Sequence, residues 1–96
     1  MKFDQALEQV KEIGQYNDFE GSLIHQILRE NREAIKEIVS VTSHTLGNSN
    51  SSPQLLILMK QEAPEGFVHT LYSALLMASV DEIEYMTRTI IRAWWD

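Results

Sequence analysis

The sequence contains no cysteine, which excludes disulfides, thiolate nucleophiles and any zinc site built on Cys ligands. Glycine occurs only four times and scattered, so there is no glycine-rich loop to cradle a phosphate. Long apolar runs are missing too. The longest charge-free, apolar-rich segment that suits a single helix, residues 67–80, carries His69, Thr70, Tyr72 and Ser73 and is too short for a bilayer span. The opening Met-Lys-Phe-Asp-Gln has no apolar core resembling a secretory signal. The sequon-like Asn50-Ser51-Ser52 therefore reads as plain loop, and the expected compartment is the cytoplasm. Basic side chains are scarce: 8 against 14 acidic ones, a net charge of −6. Phosphate backbones select basic surfaces, so direct nucleic-acid binding is not expected, whereas a basic protein partner fits.

What is present is ordinary globular material. Apolar residues make up 44% and charged residues 23% of 96 positions, the composition of one folded domain over residues 1–96. A chain this short has a thin core, and small domains often reinforce one by self-association. A homo-oligomer is the expectation, with no membrane partner.

Periodicity along the chain favours helices. Phe3, Ala6, Leu7, Val10 and Ile13 recur at three- and four-residue spacing up to Gly14. Ser22 is a good N-cap, and apolar positions follow from Leu23 through Ile38 and Val41 to Leu46, with Gly47 as a stop. This predicts one long helix of roughly 37 Å, the spine of the fold. The polar hexapeptide Gly47-Asn48-Ser49-Asn50-Ser51-Ser52 is the clearest break. Leu55-Leu56-Ile57-Leu58-Met59 is apolar on every face and suits a short strand or a helix; Ser52-Pro53 ahead of it favours the helix. Ala63-Pro64 ends that element. A fourth helix carries Phe67 to Leu76. A capping box at Ser79 and Glu82, with an i,i+4 pair Glu84–Arg88, starts a fifth bearing Ile83, Met86, Ile90, Ile91, Trp94 and Trp95. The predicted architecture is all-α: a compact antiparallel bundle of about five helices around one long central helix.

No catalytic chemistry emerges. His25, His44 and His69 are never three or four residues apart, and Glu65–His69 offers two ligands only. Paired acids as in MazG-type pyrophosphatases would need a regular second helix, but Pro64 separates Glu62 from Glu65. Gly21-Ser22 lacks a nucleophile elbow. Neither a catalytic residue, a metal ligand set nor a cofactor is assigned.

Three features point to binding instead. Asp4, Glu8 and Glu12 stack like charges on one helix face, an acidic docking face for a basic surface. Asn31 falls at heptad spacing with Ile24 and Ile38, where a buried Asn would fix register between helices. The consecutive Trp94 and Trp95 cannot both bury against one neighbour, and the all-round apolar run must be central or interfacial. Leu55, Leu56, Leu58, Met59, Trp94, Trp95 and Asn31 are the predicted interface. The expected function is a non-enzymatic protein-binding or regulatory module, homodimeric and acting through helix surfaces. One form of it is a small acidic inhibitor of the kind mobile genetic elements encode. The alternatives are a helical domain binding a small ligand between helices, and a metal-dependent hydrolase.

Overall fold

The computed structural model describes residues 1–47, 52–61, 65–87 and 89–95. The polar connector at 48–51, the Ala63-Pro64 break and Arg88 of the expected Glu84–Arg88 pair lie outside them. Among the described residues there are three α-helices and two antiparallel sheets, so the all-α bundle is wrong. The order is α1 (Phe3–Ile13), β1 (Gln15–Tyr16), β2 (Phe19–Glu20), α2 (Gly21–Glu30), β3 (Ile35–Thr42), β4 (Gln54–Met59), α3 (Glu65–Met77), β5 (Glu82–Thr87) and β6 (Ile90–Trp94). β1 and β2 form a small hairpin, and the other four strands form a sheet in the order β3-β4-β6-β5. No helix among the described residues is long and apolar enough to cross a membrane.

α1 occupies the span its spacing predicts. Ala6, Leu7, Val10 and Ile13 are its buried residues, and Gly14 ends it at φ 66°, a conformation glycine adopts without steric cost. The predicted long helix does not exist. α2 stops at Glu30, and Asn31 caps it: its Nδ2 donates to the Ile27 carbonyl at 2.8 Å. Asn31 is thus a buried cap, not a register residue in a helical seam.

The reason the pattern misleads lies in β3. Its register against β4 jumps twice, between Ile35 and Glu37 and again between Ile38 and Ser40. Each jump is a β-bulge, which adds one residue to β3 without adding one to its partner. The inward residues Ile35, Ile38 and Val41 therefore recur every third position, buried to 4%, 0% and 4% exposure. Strand alternation stretched to a period of three imitates a helix face. Ile35, Ile38, Val39, Val41 and Thr42 are β-branched, which is the propensity signal for a strand.

The apolar run at 55–59 is β4, an interior strand hydrogen-bonded on both sides. Pro53 precedes it, where a missing N–H costs nothing, and its carbonyl accepts from the Trp95 N–H at 3.0 Å. The expected fifth helix is the β5–β6 hairpin. Ser79 sits at φ 61° just beyond α3, and its N–H reaches the Leu76 carbonyl, so it helps end a helix instead of starting one.

One core joins the layers. Ile38, Ile57 and Ile91, all fully buried, face Val10 of α1, Leu28 of α2 and Leu71 and Leu75 of α3. Trp95 completes it. Its ring meets Phe19 edge-on at 4.9 Å, and its Nε1–H donates to the Ala78 carbonyl at 3.2 Å. The buried indole thereby satisfies its one donor while joining the β1–β2 hairpin to the end of α3.

Candidate functional site

A four-stranded antiparallel sheet with helices on one side has a second side to dispose of. Strand alternation sends Leu55, Ile57 and Met59 into the core, each at most 1% exposed, while Leu56 and Leu58 between them point the other way. β6 behaves alike: Ile91, Ala93 and Trp95 are buried, and Ile90, Arg92 and Trp94 face outward, half-buried. Leu56, Leu58, Ile90 and Trp94 belong neither to the core cluster nor to the residues packed on it. Solvated sheet faces are normally polar, yet the two interior strands of this one present four large apolar side chains.

Charges frame them. Arg92 lies directly across from Glu84, with Nη1 3.4 Å from Oε1, and its guanidinium stacks 4.3 Å from the Trp94 ring centre. The pair is well exposed on both sides, so it contributes little stability. The guanidinium over the indole face is a cation–π arrangement. On the far edge, Glu37 takes the Met1 ammonium at 3.0 Å. Val39, the unpaired residue of the second bulge, is exposed beside it.

The two ends of the face carry charged side chains as well. At the end where β3 begins and β4 finishes, Lys36 and Lys60 flank a shallow cleft of about 390 Å³ shared with Leu58, Gln61 and Thr89. At the opposite end of β5 stands exposed Glu82, paired in register with Trp94. One corner of the face thus holds Lys36 and Lys60 beside the Glu37 carboxylate, the opposite corner holds Glu82, and Arg92 lies between them.

The predicted interface residues divide along this sheet. Leu56, Leu58 and Trp94 share the outer face, whereas Leu55, Met59 and Trp95 are core. The expectation that the two tryptophans part company holds, but a strand sends them to opposite sides where a helix would separate them by about 100°. Asp4, Glu8 and Glu12 are all exposed on α1, away from the sheet's outer face. Asp4 lies 3.6 Å from Arg32, whose guanidinium stacks on Phe3. Sequence reasoning missed Ile90, Arg92, Glu84 and Glu37. The period-two alternation Glu82-Ile83-Glu84 and Ile91-Arg92-Ala93 was the available signal for them.

Other chemistry is sparse. Among the described residues no three His, Cys, Asp or Glu side chains converge as a metal site would require. A second cleft of about 400 Å³ lies between the end of α1 and the start of α2, near Lys11, Gly14 and Ser22. Its geometry is set by Gly21, whose N–H reaches the Gly14 carbonyl at 2.6 Å; a Cβ there would stand 2.6 Å from the Val10 carbonyl oxygen. Among the described residues, fold and surface define an α/β arrangement in which the sheet's outer face carries half-buried Leu56, Leu58, Ile90 and Trp94 around Arg92. No protein-family model, curated protein or solved structure matches the chain.

Proposed function

We propose that this chain is a non-catalytic protein-binding module of the cytoplasm that works through the outer face of its sheet. The observation that carries the reading is the outward Leu56, Leu58, Ile90 and Trp94 on its two interior strands. Contiguous apolar surface rimmed by charge is the usual mark of a protein contact, and tryptophan is enriched among residues that dominate binding energy. The two clefts described above are open and favour a small ligand less, because ligand sites typically enclose most of the ligand's surface.

Site-specific photocrosslinking in the source cells tests this. A photoreactive residue at Leu56 or at Trp94 should yield one discrete adduct, and the same residue at exposed Gln26 of α2 should yield none. Absence of adducts from both sheet positions would end the reading.

A further inference from the structure

We infer, resting on the protein-binding reading, that the occupant of the outer sheet face is an acidic peptide segment. One of its carboxylates enters the cleft between Lys36 and Lys60, and an apolar residue beside that acid lies on Leu58. The charges on the face, counted strand by strand, point there. Arg92 and Glu84 hold each other across β6 and β5, and Arg92 also covers Trp94. At the corner where β3 begins and β4 finishes, Lys36 and Lys60 outnumber the one carboxylate that β3 brings there. That carboxylate, Glu37, in addition takes the Met1 ammonium at 3.0 Å. Glu82 stands at the opposite corner, with Asp81 next to it in the chain. Glu62 and Arg88, outside the described residues, carry opposite charges and leave the sum unchanged. Among the described residues Lys36 and Lys60 enter no ion pair, so the excess positive charge of the face lies at this one corner.

The backbone fixes that corner. Ile35 pairs with Met59, and the Lys60 N–H donates to the Ala34 carbonyl at 3.0 Å, so the start of β3 and the end of β4 are tied together beside both lysines. Lys36, between the paired Ile35 and Glu37, is the extra residue of the first bulge and is exposed, while Lys60 is half-buried. The cleft they flank is bordered by Leu58, the first of the outward apolar residues that run on to Leu56, Ile90 and Trp94. An anion that suits both the lysines and Leu58 has apolar groups attached to it, as an acidic side chain next to a large apolar one in a peptide does. A bare phosphate would leave Leu58 uncovered. It would also find no arginine among the described residues of the cleft, the side chain whose fork suits it best. The rest of the surface acts in the same direction. The chain carries a net charge of −6, and Asp4, Glu8, Glu12 and Glu82 are exposed. An acidic segment is repelled there and accepted with its acidic end at the lysine corner. Charge thus sets the direction in which the segment lies, and the apolar centre supplies its affinity.

Photocrosslinking in the source cells combined with charge reversal tests it, with the folding of each variant checked by circular dichroism. A photoreactive residue at exposed Gln61, on the cleft, should capture the same partner as one at Leu56, through a peptide that contains Asp or Glu. Lys36→Glu/Lys60→Glu should lower the Leu56 adduct roughly tenfold or more, because it sets like charges together. Lys36→Gln/Lys60→Gln, which only removes the attraction, should lower it roughly threefold. Lys11→Glu/Arg29→Glu, the same change of net charge on the helical layer, should leave it unchanged. Replacing the mapped acid of the partner by lysine should restore the adduct of the Lys36→Glu/Lys60→Glu variant to within about threefold of the wild type. A Leu56 adduct indifferent to the lysine reversals, a Gln61 contact without an acidic residue, or a reversal that the partner's lysine does not rescue overturns the acidic segment and leaves the protein-binding reading standing. No adduct from Leu56 or from Trp94 ends both.

Discussion

Leu56 and Ile57 are adjacent, similar in size and equally apolar, yet they belong to different problems. Ile57 is fully buried between Ile38 and Ile91 in the register of the sheet, and Leu56 looks out between Ser40 and Arg92. Trp94 and Trp95 repeat the contrast one strand away: one indole closes the core, the other carries a stacked guanidinium on the surface. On the inner face hydrophobicity is consumed by folding. On the outer face the same residue types are left over, and which of them folding consumes is a matter of parity along β4 and β6.

The contrast breaks most sharply at the tryptophans. Trp95→Ala should lose about 3–5 kcal/mol, enough to unfold a domain of marginal stability, whereas Trp94→Ala should lose less than about 1 kcal/mol. Urea denaturation of both variants checks it, and equal losses would mean that the outer face is not free surface. Next comes the adjacent pair in β4. Ile57→Ala is expected to cost about 2–4 kcal/mol, and Leu56→Ala under about 1 kcal/mol while weakening association. A Leu56→Ala variant as unstable as Ile57→Ala would erase the distinction between the faces.

Gly21→Ala probes the helical layer alone. Its new Cβ must push the Val10 carbonyl, at a cost of about 1–3 kcal/mol, without touching the sheet's outer face. An unchanged melting temperature would show that α1 and α2 can separate without penalty. Smallest is Glu84→Gln, which removes an exposed ion pair and should change stability by less than about 0.5 kcal/mol. Fluorescence quenching gives the sharper reading there: the Trp94 indole should become more accessible to acrylamide once Arg92 loses its anchor. Unaltered quenching would detach Glu84 from the stack.

Much of this was legible residue by residue, and the failures have a common physical origin. α1 was readable because an undistorted amphipathic helix shows its period directly and Gly14 marks its end. β3 was not, because its bulges turn a period of two into one of three and so counterfeit the helical seam that also drew Asn31 into a false role. β4 carries no period whatever: both neighbours are strands, one face is core and the other is apolar too. Of the proposed face, the sequence drew attention to the apolar run that becomes β4 and to the tryptophan pair at the end of β6. Which half of each faced outward, and the cross-strand partners Glu84 and Arg92, needed the register, and register is information that no single strand contains.

The position of β6 in the sheet has a bearing on how the chain is made. β6 is the last strand in sequence but an interior one in space, inserted between β4 and β5. During synthesis, the β3–β4 hairpin therefore emerges long before the strand that seals it, leaving Leu55-Leu56-Ile57-Leu58-Met59 with an open hydrogen-bonding edge. Such a segment is uncharged, rich in large aliphatics and free of proline, the composition that seeds cross-β aggregation. A ribosome that stalls or terminates before Ile90 would release a chain able to pair with its own kind but unable to close its core. Between the synthesis of Met59 and that of Ile90 the sheet has an interior strand with nothing on one side, and that interval is its window of risk.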